Sequence, residues 1–299
     1  IRTTYSGMLP GYIEGIWHDE DIQIDLAHLA QFAGARLVVA HCTGIDADGK
    51  NLFFDERPPL HFDLLSINIG GQPDLKAIEG AENHTIPVKP ITKFQTSFEA
   101  LLKAGLPQKI AVIGGGAAGS ELALAINKRW NEHGVMPHIT LYCRSSRLLP
   151  QMSPSAAHLM LTALYEAGVQ LQLGRSVQKI EKNILYFGPK HQTVKGVEKN
   201  SRTHEARKTT KSSKTGGSYD ACFLVSAVRP PAWLASSTLA LDDSGFISVQ
   251  PTLQSTSHPH VFAAGDIATI IGKSRPKAGV FAVKAARILA KNLRKQLFG

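Results

Sequence analysis

The stretch from Lys109 to Asn127, KIAVIGGGAAGSELALAIN, holds the residues whose types and spacing are best suited to chemistry. Its glycines fit the pattern G-x-G-x-x-G. In that pattern Gly114 would make a tight turn, Gly116 would let a pyrophosphate approach the backbone, and Gly119 would let a helix pack close to a strand. Free N–H groups and the dipole at the start of that helix would meet the phosphates. The predicted cofactor-binding residues here are Gly114, Gly116, Ala117, Ala118, Gly119 and Glu121.

The elements around these glycines bear on whether they form a nucleotide site or a turn that serves only packing. Ile110 to Gly114 is a short apolar run with β-branched members. Such a run predicts a strand that is buried on both faces of a parallel sheet, and a helix follows at once. The Lys-Ser or Lys-Thr pair of a P-loop is absent, so ATP hydrolysis at this loop is not expected. The flanking elements favour a dinucleotide site, with a packing turn as the alternative.

Selection between NADH and NADPH would occur at the next predicted strand, Ile139 to Cys143, about 20 residues beyond the glycines. An acidic residue at the end of that strand would accept a hydrogen bond from the ribose 2′-hydroxyl of NADH. This chain instead has Arg144 and Arg147. Because guanidinium groups suit a 2′-phosphate, the sequence favours NADPH. The alternative is that both arginines are solvated loop residues.

Length and composition limit the class of protein. With 299 residues, of which 43% are hydrophobic, the chain can bury a large core and form two domains. Its three cysteines, Cys42, Cys143 and Cys222, are scattered, with no C-x-x-C and no zinc spacing. This pattern predicts no metal site and a reducing compartment such as the cytoplasm. No apolar run reaches the ~18 residues of a membrane span, and the start lacks the apolar core of a signal peptide, while attachment to a membrane periphery stays open.

The formal net charge of +9 is unevenly distributed along the chain. Lys195 to Lys214 contains seven basic residues against two glutamates in a stretch rich in Ser, Thr and Gly. Such a run predicts a flexible, solvated insertion. The alternative is a surface that contacts an anionic partner, namely RNA, anionic lipid or an acidic protein.

Hydrophobic periodicity predicts further elements along the chain. The predicted helices are Asp25 to Gly34, Ser155 to Ala167 and Gly279 to Leu297, and the predicted strands are Arg36 to Val39, Gly44 to Ile45, Asn51 to Phe54, Phe62 to Asn68, Val169 to Leu173, Val177 to Glu181, Asn183 to Phe187, Asp220 to Ala227, Gly245 to Val249 and His260 to Asp266. The last helix is expected to present basic side chains to solvent and apolar ones to the core. Those inward residues are Val280, Val283, Ala286, Ile288, Leu289 and Leu293.

Taken together, these segments resemble the pyridine nucleotide-disulfide oxidoreductase superfamily, the flavoproteins with two dinucleotide-binding domains. The resemblance rests on a strand that ends in Ile69-Gly70, on the central glycine unit, and on the run VFAAGD from Val261 to Asp266 before a last helix. Within the superfamily, YSGMLPG from Tyr5 and RPKAGVFAV from Arg275 resemble NADH-dehydrogenase-like proteins that are sometimes fused to selenide, water dikinase. The similarity covers nearly the whole chain.

The resemblance implies an α/β fold of two Rossmann-like domains with parallel sheets, the NAD(P)-binding domain being inserted in the FAD-binding domain. Residues 1-106 would be the first part of the FAD domain, 107-240 the NAD(P) domain with the basic insertion near 189-218, and 241-299 the second part of the FAD domain. Such proteins begin with a unit of roughly 30 residues that carries its own glycine fingerprint. This chain starts after that point, so the FAD domain is expected to be incomplete.

The resemblance also assigns residues to the flavin. Asp266 would hydrogen-bond the ribitol of FAD, with Gly265 allowing the approach, and Asn68 and Gly70 would lie near the FAD diphosphate or the flavin. The helix start around Lys277 to Phe281, with Lys277 and Val280 as the assigned cofactor residues, would face the flavin pyrimidine edge, where positive potential stabilises the reduced ring. The alternatives are a capping or turn aspartate at Asp266 and an ordinary surface lysine at Lys277.

Three functions follow, and the resemblance favours the first: an FAD-dependent NAD(P)H oxidoreductase that passes hydride from nicotinamide to flavin. No catalytic residue is assigned. No redox-active cysteine pair exists, which disfavours thiol-disulfide chemistry and leaves quinone, oxygen, another small molecule or a selenium compound as electron acceptor. A second copy of the chain is a further expected partner. The second function is an inactive flavoprotein-like subunit of a larger assembly, because Phe223 to Pro230 departs from the usual Ala-Thr-Gly signature. The third, an NADP dehydrogenase without flavin, leaves Gly265-Asp266 without a role.

Overall fold

We analysed a computed structural model of the chain, which describes residues 1–188, 216–273 and 275–299. The chain divides into two compact units. Unit 1 comprises Ile1–Met8, Asp19–Asp74 and Ala227–Gly299, and unit 2 comprises Leu9–His18 and Leu75–Ser226. The basic run from Lys195 to Lys214 lies outside the described residues.

The described part of the chain forms the following helices and strands. The helices are α1 (Leu9–Glu14), α2 (Leu26–Phe32), α3 (Ala81–His84), α4 (Ile91–Ala104), α5 (Ala117–Glu132), α6 (Pro154–Glu166) and α7 (Gly279–Phe298). The strands are β1 (Arg2–Thr4), β2 (Gln23–Asp25), β3 (Cys42–Asp46), β4 (Asn51–Phe54), β5 (Leu60–His61), β6 (Leu65–Ile67), β7 (Gln72–Pro73), β8 (Ile86–Pro87), β9 (Lys109–Ile113), β10 (His138–Cys143), β11 (Gln170–Leu173), β12 (Val177–Glu181), β13 (Ile184–Phe187), β14 (Gly217–Ser218), β15 (Ala221–Leu224), β16 (Val228–Arg229), β17 (Ile247–Val249), β18 (Val261–Ala263) and β19 (Ala268–Ile270).

Unit 2 contains a five-stranded sheet with the order β11-β10-β9-β15-β8, and every pairing in it is parallel. The central strand β9 is buried from Ile110 to Ile113, and β15 is buried along its whole length. The chain leaves β9 toward β10 and later returns on the other side of β9 as β15. In parallel sheets, ligands bind at the carboxyl ends of the strands where the order reverses in this way.

Aromatic side chains fix helices α4 and α5 of unit 2 on one face of this sheet. Phe94 and Phe98 of α4 stack with ring centroids 5.5 Å apart, and Phe98 also contacts Trp130 of α5 and Phe223 of β15. The Trp130 indole donates a hydrogen bond to the Pro107 carbonyl at 2.8 Å. Truncation of such a ring to alanine costs about 3–5 kcal/mol. These contacts therefore stabilise the position of α5, the helix that follows the glycine loop.

Unit 1 is built from short strands around a separate apolar core. The parallel pairs are β6 with β18 and β17 with β19, and the antiparallel sheets are β1-β2, β16-β7 and β3-β4-β5. The core includes Phe62, Leu234, Ile247 and Ile267. The predicted α/β class with parallel sheets is confirmed.

The unit boundaries differ from the predicted domain limits at both ends of the nucleotide domain. Residues 75–106 belong to unit 2, because β8 pairs with β15 and the aromatic rings of α4 lie in the unit 2 core. Residues 227–240 belong to unit 1, because β16 pairs with β7 and Leu234 packs in the unit 1 core. These strand pairings join residues that are far apart in the sequence.

Several predicted elements differ in the structure. No strand forms at Arg36 to Val39, and the run predicted from Phe62 to Asn68 is reduced to the three residues of β6. The prediction for the inward face of α7 was wrong for four of its six residues: Val280, Val283 and Ile288 are 54%, 58% and 46% exposed, and Ala286 is exposed as well. The contacts with the unit 1 core come from Ala285 and Leu289. An apolar stripe on a helix therefore did not identify the side that packs.

Candidate functional site

The loop between β9 and α5 has the conformation that its glycines predict. Gly114 has φ +132°, and a Cβ there would collide with the carbonyl oxygen of Val225, the residue that follows β15. A Cβ at Gly119 would collide with the Gly114 carbonyl oxygen. These two glycines let the chain turn sharply and bring the first turn of α5 against the end of β9.

Gly116 differs from its two neighbours in the motif. It caps the amino end of α5 with φ −85° and ψ −179°, a conformation open to any residue, and a Cβ there would meet nothing within 4 Å. Neither the backbone nor internal packing therefore requires glycine at this position. The open space lies beside the free N–H groups at the start of a 16-residue helix, where phosphates bind favourably.

Hydrogen bonds hold the loop in this shape. The Gly114 N–H donates to the Tyr142 carbonyl at 2.9 Å, and the Leu149 N–H donates to the Gly115 carbonyl at 3.0 Å. The fully buried Ser120 donates from its hydroxyl to the Gly116 carbonyl at 3.0 Å. Sequence reasoning missed Ser120, although its position four residues after the helix cap is the signal that could have identified it.

The two arginines at the end of β10 have different surroundings. The Arg147 guanidinium donates through Nη2 to three backbone carbonyls, those of Leu149, Pro150 and Met152, at 3.3, 2.8 and 2.7 Å. Arg147 thus organises the loop that follows β10. Arg144 is exposed and precedes it by three residues. Among the described residues the Arg144 side chain makes no hydrogen bond or ion pair, and its charge acts on the neighbouring Cys143 thiol.

Two further titratable groups border the glycine loop. Cys143 lies under it, since a Cβ at Gly115 would collide with the Cys143 sulfur, and burial raises the pKa of that thiol. Glu121 lies in the second turn of α5 with an exposed side chain, and desolvation by the neighbouring chain raises the pKa of its carboxyl group.

In unit 1, the other predicted cofactor residues meet where β6 and β18 end. These strands pair in parallel through Ile67 and Ala263, which places Asn68 next to Gly265. Gly265 has φ +73°, and a Cβ there would collide with the Asn68 side-chain oxygen. Asp266 follows in a short helical turn and is 9% exposed. Gly70 has φ +67° with nothing within 4 Å of its Cβ position.

Lys277 has structural partners within unit 1. Its amine donates to the Ala268 carbonyl at 2.7 Å and to the Thr269 hydroxyl at 3.0 Å, and it lies 3.9 Å from the centroid of the Phe246 ring. Burial lowers the pKa of Lys277, while Asp242 and Asp266 oppose that shift. Val280, predicted beside it, is exposed in the first turn of α7.

Cysteine and metal chemistry find no support among the described residues. Cys143 and Cys222 are buried, and burial raises the pKa of both thiols, whereas Cys42 is partly buried and unpaired. No cluster of His, Cys, Asp and Glu in the described ranges could hold a metal ion. None of the described helices combines the length and apolar character needed to cross a bilayer.

Comparison with known proteins places the chain in a family. The family model described as pyridine nucleotide-disulphide oxidoreductase matches residues 7–286. A curated relative, the type II NADH:quinone oxidoreductase of Mycobacterium tuberculosis, is 26% identical over 285 residues, which cover 92% of this chain and 54% of the relative. The superfamily predicted from the sequence is confirmed.

Two solved structures are similar over almost the whole chain. The water-forming NADH oxidase of Lactobacillus brevis, bound to NADH, superposes with a TM-score of 0.73 at 22% identity, covering 96% of this chain and 60% of that one. An engineered variant of it, a water-forming NADPH oxidase bound to NADPH, gives 0.74 at 21% identity, with coverage of 97% and 61%. At these identities the likeness shows the fold alone. The chain spans about half or less of the length of the first curated relatives that it matches.

Proposed function

Because the chain belongs to the pyridine nucleotide-disulphide oxidoreductase family, we propose that it forms the nucleotide-binding part of an FAD-dependent NAD(P)H oxidoreductase. Unit 2 would bind the nicotinamide nucleotide and unit 1 the FAD. When bound, the nicotinamide would supply a hydride and the flavin would accept it and pass two electrons to an acceptor. The residues of this chain bind and orient the two cofactors.

The observation that carries this proposal is the contrast between Gly116 and the other two motif glycines. Gly114 and Gly119 are required by the protein's own packing, whereas nothing within the described chain occupies the space at Gly116. The close approach of a ligand would explain why residue 116 is glycine. A pyrophosphate at this point would accept hydrogen bonds from the free N–H groups of the first turn of α5.

NADPH, rather than NADH, is the nucleotide that we propose for unit 2. The engineered NADPH oxidase differs from its parent by substitutions that include three consecutive ones, which replace Asp-Ala-Met by Ala-Arg-Ser. Here β10 ends at Cys143, and Arg144 and Ser145 follow it, so a small residue again precedes arginine and serine. Arg144 would form the charge-assisted hydrogen bonds to the 2′-phosphate. Arg147, which binds three carbonyls of the same loop, would act as a positioning residue.

The unit 1 residues fit FAD in part. Asp266 is a nearly buried carboxylate that follows a glycine of positive φ, the arrangement that the resemblance assigns to the ribitol. Lys277 fits less well, because its amine already donates to Ala268 and Thr269. Any positive potential toward the flavin would therefore come from the amino end of α7 and from Lys277 at a distance.

The electron acceptor that we propose is not a disulfide. The chain has three cysteines and no C-x-x-C pair, and the two near the nucleotide unit are buried with raised pKa values, which disfavours the thiolate form. The M. tuberculosis relative is named for quinone reduction. We therefore propose a quinone or another small two-electron acceptor for this protein.

A spectroscopic titration tests the function. The purified full-length protein is loaded with FAD, freed of unbound flavin, and mixed with NADPH in the absence of oxygen. The expected result is a retained flavin spectrum that bleaches on NADPH addition and returns on addition of a soluble quinone. The variant Asp266→Asn keeps the shape of the side chain and should retain less flavin than the parent.

The second candidate function is an inactive, flavoprotein-like subunit. It is supported by the bonding of Lys277 to β19 and by the departure from the Ala-Thr-Gly signature after Phe223. Folded full-length protein that retains no flavin and does not oxidise NADPH would contradict the oxidoreductase proposal and favour this alternative.

A further inference from the structure

Arg175 is a third arginine beside the loop that follows β10. It comes two residues after the end of β11, and Gly174, just before it, has φ +68°, a conformation that favours glycine. The Arg175 N–H donates to the Cys143 carbonyl at 3.0 Å, and the Gly174 N–H donates to the Ser145 carbonyl at 2.9 Å. These two carbonyls flank Arg144 in the chain. A single hydrogen bond therefore separates the main chains of the two arginines.

An aromatic ring holds the Arg175 side chain in place. The guanidinium carbon lies 5.0 Å from the centroid of the Phe187 ring, at the end of β13. The Phe187 ring in turn packs against Tyr142 of β10, with centroids 5.2 Å apart. Contact with an aromatic face restricts the plane of a guanidinium without using its N–H donors. The Arg175 side chain is therefore oriented before any ligand arrives.

The donors of this oriented group are open to a ligand. Within the ranges that the structure describes, the Arg175 guanidinium makes no hydrogen bond and no ion pair. The residue is only partly buried, and none of its nitrogens is a buried atom without a partner. Solvent, and hence a solute, reaches the planar fork of donors. An arginine that served packing alone in a buried site would need protein partners for these groups.

The two chain segments that meet here carry positive charge with no acidic residue to neutralise it. Residues 143–147 and 173–177 contain three arginines and neither aspartate nor glutamate. Of the three, Arg147 already donates to three backbone carbonyls of its own loop, which leaves Arg144 and Arg175. An anion that accepts several charge-assisted hydrogen bonds is the ligand that suits such a pair.

We propose that Arg175 is a second ligand of the 2′-phosphate of NADPH and, together with Arg144, selects NADPH over NADH. This inference rests on the nucleotide site proposed for unit 2. A phosphate monoester carries a charge of about −1.5 to −2 at pH 7, so one guanidinium neutralises only part of it. Arg144 would approach the phosphate from the end of β10 and Arg175 from the end of β11. The 2′-hydroxyl of NADH is neutral and gains little from either group.

The contact with Phe187 favours a phosphate over the adenine ring as the ligand of Arg175. Because Phe187 lies against one face of the guanidinium, the N–H groups in the plane remain available, and they bind an anion more strongly than a neutral ring. Stacking of the adenine on the opposite face is the other role that a guanidinium could take. That role would not depend on the 2′-phosphate, so the two can be separated by experiment.

Isothermal titration calorimetry with two nucleotide fragments tests the proposal. Adenosine 2′,5′-bisphosphate carries the 2′-phosphate and AMP lacks it, while neither fragment contains a nicotinamide or requires FAD. The full-length parent protein should bind the bisphosphate more tightly than AMP. In Arg175→Gln the dissociation constant of the bisphosphate should rise about ten-fold, as for the loss of one hydrogen bond to a charged group at a partly exposed site. The dissociation constant of AMP should hardly change.

Lys182→Gln is the matched control, because it removes the same charge from the same unit. Lys182 is exposed in the turn after β12, and the length of that strand separates it from Arg175 by about 13 Å, beyond the screening length of ~10 Å at 0.1 M salt. Lys182→Gln should bind both fragments like the parent. Arg175→Lys keeps the charge without the planar fork and should recover only part of the affinity, which keeps the test decisive if Arg175→Gln misfolds.

The remaining outcomes separate this inference from the proposed function. Loss of bisphosphate binding in Arg144→Ala, with normal binding in both Arg175 variants, overturns the role of Arg175 and leaves the oxidoreductase proposal standing. Equal weakening of both fragments in Arg175→Gln assigns Arg175 to the adenine and also overturns it. A parent protein that binds both fragments equally overturns it together with the choice of NADPH. A parent protein that binds neither fragment contradicts the nucleotide site of unit 2 itself.

Discussion

Replacement of Gly116 by alanine separates nucleotide binding from folding. The added methyl group would meet nothing within 4 Å in the protein, and the backbone angles at this residue suit alanine. Gly→Ala at a compatible site stabilises by about 0.4–1 kcal/mol through the unfolded chain. Alanine is, however, a poorer helix cap than glycine by a few tenths of a kcal/mol or more. The two effects oppose each other, so the midpoint of thermal unfolding should change by no more than about 2–4 °C.

The effect on NADPH binding should be much larger. A phosphate that accepts hydrogen bonds from the first turn of α5 must come within about 3 Å of the backbone nitrogens, and the methyl group would hold it away. Loss of one charge-assisted hydrogen bond costs about 1.5–3 kcal/mol. At 1.4 kcal/mol per factor of ten, the dissociation constant of NADPH should rise about 10- to 150-fold. Isothermal titration calorimetry, paired with thermal unfolding, measures both quantities on the same sample.

Two other glycines serve as controls for this experiment. Gly119→Ala should lose stability and binding together, because its methyl group would collide with the Gly114 carbonyl. Gly134→Ala, at φ +74° in the turn after α5 with nothing nearby, should lose about 1 kcal/mol of stability and bind NADPH normally. If Gly116→Ala binds NADPH as tightly as the parent while its stability is unchanged, the assignment of this space to a pyrophosphate is wrong.

The remaining predictions concern nucleotide selection and pH. Arg144→Ala should weaken NADPH binding about 10- to 150-fold and leave NADH nearly unaffected, and equal weakening of both nucleotides would contradict the 2′-phosphate role. Arg147→Ala should instead lower the free energy of unfolding by about 1–2 kcal/mol, because three carbonyls lose their donor. A change in nucleotide preference with no loss of stability would contradict the positioning role of Arg147. Burial raises the pKa of Tyr219 to about 12 from an ordinary value of 10.0. This raised pKa contributes stability that is complete below pH about 10 and is lost as pH rises toward 12. The free energy of unfolding of Tyr219→Phe, measured as a function of pH, should therefore fall less steeply than that of the parent over this window. An equal slope in both proteins would contradict the shift.

The sequence predicts those parts of the candidate site that depend on residues adjacent in the chain. The strand, the turn and the helix around Gly114, Gly116 and Gly119 are adjacent in sequence, so the spacing of glycines and apolar residues predicts them without knowledge of the rest of the fold. The two arginines after β10 were likewise visible as residue types. The different surroundings of the two arginines could not be predicted, because the path of the following loop decides which carbonyls Arg147 binds.

The same distinction applies to unit 1. The run that forms β18 and ends at Asp266 is recognisable from its sequence, but the collision that requires glycine at Gly265 comes from Asn68, almost 200 residues earlier. The helix start around Lys277 was expected to face the flavin. In the structure the Lys277 amine donates to Ala268 and Thr269 of β19, and the position of that strand, which pairs with β17, is not encoded at the lysine itself.

From the sequence by itself, short-range periodicity and the fixed spacing of glycines located the glycine loop with its strand and helix, and the resemblance to known flavoproteins supplied the family and the two-domain α/β fold. Tertiary structure alone decided which face of α7 packs, that α4 and β8 belong to unit 2, and that β11 lies at one end of its sheet. Those features depend on pairings between distant segments. A periodic pattern shows that a helix or strand has an apolar side, but only the neighbours that the fold brings to it decide whether that side is buried.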